Sequence, residues 1–249
     1  MNSLKKNKNY DYRDTHIALS KPEDYDPQFW IPGTMKNLFW EMEREIISNI
    51  IRKYIPFPQK ALDFACGTGR VLSFIEQYFP ETIGIDVSSS MLAVAQKRCQ
   101  HSRIIDGDLT TDPSLVKDDF DLVTAFRFLL NAQQELRESV LKSIHRIIKS
   151  EGILIVNFHL NPYSITGSYL MFRCWLKGTN RSMISVRNAK DLLRSCGFNP
   201  LGVYGYGYLL HRREYVRLPN IRGSLEKILA RLNMFPSIAM NFIIVAQAR

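Results

Sequence analysis

The chain has 249 residues, of which 45% are hydrophobic and 23% are charged, and its formal net charge is +9. This length fits one sizeable domain with an added lid, and the composition is typical of a globular protein rather than a disordered one. No apolar run approaches the length of a membrane-spanning helix, so a span of that kind is not expected.

The cysteine usage and the first residues give the expected compartment. The cysteines are scattered and form no Cys-x-x-Cys pair; they are Cys66, Cys99, Cys174 and Cys196. This spacing indicates neither a zinc site nor a disulfide framework, and it favours a reducing, cytoplasmic location. The first ten residues are rich in Lys and Asn and have no apolar core, which predicts a frayed tail rather than a secretory signal.

The first long element is a helix over residues 36–54, where apolar side chains recur at helical spacing and Pro56 follows the last turn. A strand over 61–64 comes next and leads at once into a Gly67-x-Gly69 turn and an amphipathic run. A strand, a glycine turn and a helix N-terminus form a cradle for a cofactor, because glycine lets a ligand approach the backbone and the helix start presents free N–H groups.

The acids around this turn narrow the choice of ligand. A dinucleotide fingerprint needs a third glycine where this chain has Leu72, and the Gly-Lys-Ser/Thr end of a P-loop is missing. Asp63 lies inside the cradle, where it repels a phosphate and attracts an ammonium group. Asp86 ends the next predicted strand, 19 residues after Gly67, a position that suits a ribose diol. A third acid, Asp108, lies at the end of residues 103–109, the predicted third strand.

Strands and helices continue to alternate after this point. Ser88 to Arg98 and 131–148 are predicted helices, and 120–125 and 153–158 are predicted strands made of apolar runs. Apolar runs are expected of parallel strands that are covered on both faces, so the chain is predicted to be α/β with a doubly wound sheet.

With these features in this order, residues 36–160 resemble the class I S-adenosylmethionine-dependent methyltransferases, and the rest of the chain resembles them loosely. The resemblance implies a Rossmann-like sheet of seven mostly parallel strands, with S-adenosyl-L-methionine as the cofactor. It further implies that Asp63, Gly67 and Gly69 hold the methionine end, Asp86 the ribose hydroxyls and Asp108 the adenine amine. Their neighbours Ala65, Val87, Met91, Leu109 and Phe126 are predicted to contact the same cofactor. An α/β domain with an ordinary glycine turn is the alternative.

The resemblance also sets the expected organisation. Residues 1–35 are predicted to form a tail and lid segment, with a packing strap over the sheet as the alternative for the aromatic stretch 25–33. Residues 36–249 are predicted to form the methyltransferase domain, with insertions at about 160–186 and 211–238. A helix over 186–196 and a sixth strand over 198–210 separate the insertions. The seventh strand, 241–246, is expected to run antiparallel at the edge, next to the fifth.

Candidates for the acceptor site follow strands four and five, because ligands of open α/β sheets bind off the carboxyl ends of the strands. Arg127 and Asn131 follow strand four, where the Asn/Asp-Pro-Pro-Tyr motif of amino-methylating DNA enzymes is absent. No acids of the kind used by metal-dependent relatives follow this strand either, so no metal is expected. Asn157, His159 and Asn161 alternate and are predicted to share one face.

The histidines are the candidates for acid–base chemistry, since imidazole titrates near neutral pH. His159 is the first candidate for a general base and His211 the second, with a structural role for His159 as the alternative. Many relatives need no base at all.

The charge of the chain is concentrated late in the sequence. Residues 173–231 contain twelve Lys and Arg against three acids, which equals the net charge of the whole chain. Such a region favours an anionic partner, with a solvated positive face as the alternative. Arg212 and Arg213, beside His211, are predicted to contact the acceptor.

Three functions remain open on the sequence alone. The first is methyl transfer to a small or glycan-like, anionic acceptor, and the second is methylation of a nucleic acid through the basic region. The third is a non-catalytic cofactor-binding subunit that activates a partner. Peripheral contact with a membrane is also compatible with the basic region.

Overall fold

A computed structural model describes residue 22 and residues 27–116, 119–209 and 220–249. Its centre is a seven-stranded sheet with the order β3-β2-β1-β4-β5-β7-β6. The strands are β1 (Lys60–Phe64), β2 (Glu81–Asp86), β3 (Arg103–Asp106), β4 (Phe120–Ala125), β5 (Ile148–Phe158), β6 (Phe198–Tyr206) and β7 (Asn241–Ala248). The helices are α1 (Met35–Tyr54), α2 (Leu72–Ile75), α3 (Ser89–Arg98), α4 (Gln134–Ile147), α5 (Ile165–Leu176), α6 (Val186–Ser195) and α7 (Asn220–Leu232). Single 3-10 turns lie at Pro27–Phe29, Pro113–Leu115 and Pro236–Ile238.

Helices cover both faces of the sheet, which confirms the α/β doubly wound prediction. One apolar cluster contains α1 and the strand side chains beneath it, and the other lies on the opposite face with α4 and α6. Strands β1 to β5 pair in parallel, and their apolar runs are buried on both sides, as parallel strands require.

The prediction that the seventh strand forms the edge was wrong. Strand β7 runs antiparallel to β5 as expected, but it also pairs with β6, so β6 takes the edge. The burial of the two strands explains this order, since nearly every residue of β7 is buried whereas β6 is mostly half-buried. Pro200 in β6 has no N–H for a ladder, which suits an edge strand.

Two boundaries differ from the sequence prediction for local reasons. Strand β5 starts at Ile148, because Glu151 adopts a φ of +67° and the register shifts there without ending the pairing. Helix α4 starts at Gln134, because the preceding segment forms a turn in which the N–H groups of Asn131 and Ala132 both donate to the Phe128 carbonyl.

The two long connections each carry a helix. Helix α5 follows β5, and helix α7 precedes β7. Because β7 is antiparallel to β5 and Phe158 pairs with Phe242, both connections meet the sheet at the carboxyl end of β5.

Candidate functional site

A cavity of about 330 Å³ opens at the carboxyl ends of β1, β2 and β4. Three acids, Asp63, Asp86 and Asp108, line it together with Arg127, Asn131 and His159. Apolar parts of its wall come from Phe64, Ile85, Met91, Phe126, Phe128, Leu136 and Val140. Residues from five separate segments of the chain therefore meet at the edge of the sheet where open α/β folds bind ligands.

The glycine turn leaves room for a ligand at Gly67. Its φ is +53°, and a Cβ built there would meet no atom within 4 Å. Its N–H donates to Asp86 Oδ2 at 2.8 Å, and Ser88 N–H donates to Asp86 Oδ1 at 2.9 Å. The backbone thus holds the Asp86 carboxylate at the cavity wall while the space above Gly67 stays open.

Gly69 packs closely against α3, and its predicted contact with the cofactor stays a prediction. It does not line the cavity, and a Cβ on it would lie 3.0 Å from Ala95 Cβ of α3. Its glycine allows close packing between the turn and a helix. Leu109 is also outside the cavity wall, because its side chain is buried in the apolar core while Asp108 faces the cavity.

Asp63 is buried at the end of β1, where Thr124 Oγ1 donates to its Oδ1 at 2.6 Å. Burial raises the pKa of this carboxyl to about 7, against the opposing effects of Thr124 and Arg70. A cation placed beside Asp63 stabilises its ionised form, because it replaces the lost solvation. The neighbouring Cys66 is a neutral thiol, since burial raises its pKa well above the usual range.

Asp108 is held by its own turn. Thr110 donates to Asp108 Oδ1 through its N–H at 2.8 Å and through its hydroxyl at 2.7 Å. Seen together, eight of the ten residues predicted to contact the cofactor line the cavity: Asp63, Ala65, Gly67, Asp86, Val87, Met91, Asp108 and Phe126.

A buried acid that the sequence analysis missed supports the site from below. Glu43 of α1 is fully buried, and its carboxylate lies 2.8 Å from Arg70 Nη1 and 3.7 Å from Arg127 Nη2. Tyr206 Oη donates to it at 2.6 Å, and Asn157 Nδ2 donates at 3.3 Å. Burial alone would raise the pKa of Glu43, but Arg70 and Arg127 outweigh burial and lower it, so the group is ionised.

The signal for Glu43 was present in the helix pattern. Phe39, Met42, Ile46 and Ile47 are the apolar face of α1, and Glu43 lies in the middle of that face. An acid at such a position must be paired, because a lone buried charge is too costly.

Arg127 faces the cavity but is also part of this buried network. Its backbone adopts a φ of +58°, and its N–H donates to Asn157 Oδ1 at 2.5 Å. Asn157 was predicted to contact the acceptor, but it does not line the cavity. It supports Arg127 from behind. The ion pair to Glu43 holds the guanidinium at the cavity.

The aromatic segment before α1 lies over the arginines. The Arg70 guanidinium is 4.3 Å and the Arg127 guanidinium 5.1 Å from the Phe29 ring centre, and Arg98 is 4.8 Å from the Trp30 ring centre. Phe29 is fully buried, and its carbonyl accepts from Asn37 Nδ2 at 2.9 Å. These cation–π contacts fix residues 27–30 beside the cavity.

His159 lines the cavity, but its environment makes it a poor base. Burial lowers its pKa to about 3, and the positive charges of Arg127 and Arg181 add to the effect. The imidazole is neutral at physiological pH and holds a proton weakly. The argument that this histidine titrates near neutral pH was therefore wrong.

Asn157, His159 and Asn161 do not share a face. Strand β5 ends at Phe158, and Leu160 adopts a φ of +63°, which breaks the alternation. The Asn161 amide turns away from the cavity and donates to the carbonyls of Ser237 at 2.7 Å and Ala239 at 3.0 Å.

The basic region contributes no arginine or lysine to the described cavity wall. Lys227 pairs with Glu41 at 2.8 Å, Arg231 pairs with Glu45 at 2.8 Å, and Arg194 pairs with Asp191 at 2.9 Å. Arg173 and Arg181 are exposed. His211, Arg212 and Arg213 lie outside the described residues.

The described ranges lack two further kinds of feature. Among those residues, no group of three or more His, Cys, Asp or Glu side chains is placed to hold a metal ion. Within the same ranges, no helix is both long and apolar enough to cross a bilayer.

The sequence is similar to known methyltransferases. Residues 62–156 match the model of a family described as methyltransferase domain. An uncharacterized methyltransferase of Oceanobacillus iheyensis is 27% identical over 210 residues, which cover 82% of this chain and 85% of that protein. A demethylmenaquinone methyltransferase of Thermotoga maritima is 35% identical over 107 residues, or 42% of this chain and 45% of that one.

Solved structures share the fold. A possible histamine N-methyltransferase from Thermotoga maritima has a TM-score of 0.64 at 18% identity, over 95% of this chain and 99% of that one. Magnesium protoporphyrin IX methyltransferase from Synechocystis, with bound S-adenosylhomocysteine, has a TM-score of 0.64 at 14% identity, over 95% and 97% of the two chains.

Proposed function

We propose a class of methyl acceptor for this chain, which belongs to the class I S-adenosylmethionine-dependent methyltransferases. The chain transfers a methyl group to a small organic acceptor that has an apolar body and an anionic group. One observation carries this proposal: the same cavity contains the three acids at the carboxyl ends of the strands and, on its wall, Arg127, Asn131 and His159.

The cofactor half of the cavity fits S-adenosylmethionine. Asp63 and Gly67 would hold the methionine end, Asp86 the ribose hydroxyls and Asp108 the adenine amine. The raised pKa of Asp63 supports this assignment, because the ammonium group of the cofactor favours the ionised carboxylate. The open space above Gly67 supports it as well. When bound, the cofactor supplies a methyl group on a sulfonium that is already electrophilic.

The other half of the cavity has the chemistry for the acceptor. Arg70 and Arg127 bring two guanidinium groups to this part of the wall, and both contact the buried Glu43 carboxylate. An arginine held in place binds a carboxylate or phosphate in a fixed geometry. Phe128, Leu136 and Val140 offer an apolar surface for the rest of the acceptor.

Proton transfer through His159 has no part in the proposal. Because its pKa is about 3, the neutral imidazole accepts a proton poorly and acts as a hydrogen-bonding group. The acceptor is then a nucleophile that reacts without a strong base, such as a carboxylate, an acidic hydroxyl or a neutral amine. Positioning and desolvation supply the rate enhancement.

Labelled methyl transfer to a panel of carboxylates, phenols and amines tests the proposal, with a chelator included to test the expected independence from metals. We expect Arg127→Gln to raise the Michaelis constant of anionic acceptors by about tenfold and to leave neutral ones nearly unchanged. Arg103→Gln, an exposed arginine outside the cavity wall, is the matched control. Equal losses on both acceptor classes would contradict an anionic acceptor.

The same assay separates the alternative functions. Cofactor binding without transfer to any compound would favour an activating subunit, and transfer to RNA alone would favour a nucleic-acid substrate. The ion pairs of Arg194, Lys227 and Arg231 weigh against the latter, since they neutralise part of the basic region. The predicted role of Arg212 and Arg213 stays a prediction: neutral substitution of both should raise the acceptor's Michaelis constant and spare cofactor affinity.

A further inference from the structure

Helix α5 exposes its apolar side chains. Of its twelve residues, only Thr166 and Gly167 in the first turn are buried. Trp175 is 76% exposed, and Phe172 and Leu176 are also exposed. The Phe172 and Trp175 rings stack on each other at 6.0 Å, which gives the helix a continuous aromatic surface. Isolated exposed apolar residues are ordinary, but a contiguous group indicates a binding surface.

Helix α7 also exposes apolar side chains. Among its side chains that the structure describes, only that of Glu226 is buried, and its carboxylate accepts from the N–H groups of Tyr208 at 3.0 Å and Leu209 at 2.7 Å. Most apolar residues of the helix and of the turn after it are exposed: Ile221, Leu225, Ile228, Leu232, Met234, Phe235 and Ile238. Only Leu229 and Ala230 are half-buried among the apolar side chains described in the helix, so the acid is inside and most apolar residues are outside, the reverse of a helix that packs on its own core.

The two helices lie at the same end of the sheet. Asn161, just before α5, donates through its amide to the carbonyls of Ser237 and Ala239, just after α7. Its backbone N–H also donates to the Met240 carbonyl at 3.0 Å. These bonds tie both connections to the carboxyl end of β5, where the cavity wall includes His159. The exposed apolar residues of α5 and α7 are called here the α5–α7 surface.

The charged residues on α5 and just after it are all basic. Residues 152–190 contain no Asp or Glu and five Lys and Arg. Arg173, Lys177 and Arg181, on or just after α5, are exposed, as is Arg222 near the start of α7. Exposed Trp, Phe, Leu and Ile side chains beside Lys and Arg make up the composition of helices that lie in the interface of an anionic bilayer.

We propose that the α5–α7 surface binds the surface of an anionic lipid bilayer, with Phe172, Trp175 and Ile228 entering the interface and the basic residues contacting headgroups. A second copy of the chain fits less well, because it would bring two surfaces of the same positive charge together. This inference does not depend on the identity of the methyl acceptor. It rests on the burial pattern and on the charge.

Flotation with lipid vesicles tests the proposal on the full chain. Wild-type protein should bind vesicles of phosphatidylcholine mixed with phosphatidylglycerol and remain free with phosphatidylcholine alone. Replacing both aromatic residues of α5, Phe172→Ser with Trp175→Ser, should reduce the ratio of bound to free protein by about tenfold or more. The matched control is Phe57→Ser, which removes an aromatic ring that is 82% exposed in the loop between α1 and β1, at the opposite end of the sheet.

Two further measurements distinguish a bilayer from other occupants. Quenching of Trp175 fluorescence by lipids brominated on their acyl chains should occur in the wild type and disappear in Trp175→Phe. Replacing Arg173 and Lys177 with Gln should weaken binding to anionic vesicles and make the remaining binding less sensitive to salt. Unchanged binding by the Phe172 and Trp175 variant would overturn the proposal. So would a wild-type dimer that becomes monomeric in that variant and never floats with vesicles.

Discussion

Helices α1 and α7 lie side by side, joined by the ion pairs from Lys227 to Glu41 and from Arg231 to Glu45, yet they use burial in opposite ways. Helix α1 buries eleven of its twenty residues, including Glu43, whereas Glu226 is the one buried side chain described in α7. Glu43 is bound by two guanidinium groups that meet the cavity, and Glu226 is bound by two peptide N–H groups of a neighbouring loop. The comparison teaches that the sheet and α1 are organised around a polar site, while α5 and α7 leave apolar surface that the described part of the chain does not cover.

The largest effect is expected from a substitution that breaks the buried network under the cavity. Glu43→Gln should lower the free energy of unfolding by about 3–5 kcal/mol, because Arg70 and Arg127 would then be left without their shared carboxylate. Urea denaturation measures this change. The control is Glu45→Gln, two residues along α1, whose ion pair to Arg231 is solvent-exposed and should contribute far less to stability. Similar losses in both variants would contradict the distinction between the buried and exposed pairs.

The same network makes the free energy of unfolding depend on pH, and the direction of that dependence follows from the pKa of Glu43. The pKa of Glu43 is lower in the folded chain than its ordinary value of 4.5, because the two arginines outweigh burial. Its contribution to stability is therefore present above pH 4.5 and is lost as the pH falls below that value. The free energies of unfolding of the wild type and of Glu43→Gln, measured by urea denaturation at decreasing pH, should converge at low pH.

The next effect concerns cofactor affinity. Asp86→Ala should weaken S-adenosylmethionine binding by about 1.5–3 kcal/mol, since a charge-assisted hydrogen bond to the ribose would be lost. Isothermal titration calorimetry measures the affinity, and a melting curve checks that the bonds from Gly67 and Ser88 are not needed for folding. Asp106→Ala is the control, because Asp106 ends the adjacent strand but does not line the cavity. Unchanged affinity in Asp86→Ala, or binding of NAD by the wild type, would refute the assignment.

A third prediction concerns how the ionisation of Asp63 makes stability and cofactor affinity depend on pH. Because burial raises its folded pKa from 3.8 to about 7, the contribution of Asp63 to the stability of the cofactor-free chain is present below pH 3.8 and is lost as the pH rises towards 7. Cofactor binding should show the opposite trend, since the ammonium group prefers the ionised carboxylate. Affinity should rise by up to about tenfold per pH unit below pH 7 and level off above it.

Calorimetry across this range measures the trend. Asp63→Asn should bind weakly with a much flatter pH profile. A wild-type profile as flat as that of the variant would mean that the Asp63 carboxyl does not meet the charged end of the cofactor.

Features set by neighbouring residues were predictable from the sequence. The cradle at Gly67 and the acid at Asp86 follow from a strand, a turn and a spacing, and the structure brings them to one cavity. The apolar runs likewise predict buried parallel strands. In these cases the residues that decide the outcome are close in the sequence or are repeated at a regular period.

Features set by distant partners were not predictable in the same way. Glu43 is bonded to Asn157, 114 residues away, and the weak basicity of His159 depends on Arg181 and on burial that only the tertiary fold creates. The position of β7 inside the sheet depends on competition between two strands for one partner. Helical periodicity identifies which residues share a face, but it cannot tell that most apolar residues of α7 are exposed.

The smallest expected effect is that of replacing Trp175 of α5, measured against the replacement of Trp40 in α1. Trp40→Ala in α1 should lower the free energy of unfolding by about 3–5 kcal/mol, because the side chain is 1% exposed and its removal leaves a cavity. Trp175→Ala in α5 removes the same ring but should change stability by less than about 0.5 kcal/mol, since the side chain is mostly in solvent. Urea denaturation in the absence of lipid measures both. A cost at Trp175 approaching that at Trp40 would mean that α5 packs on its own chain in solution. The apolar surface would then belong to the core, and the contrast between the two regions would not hold.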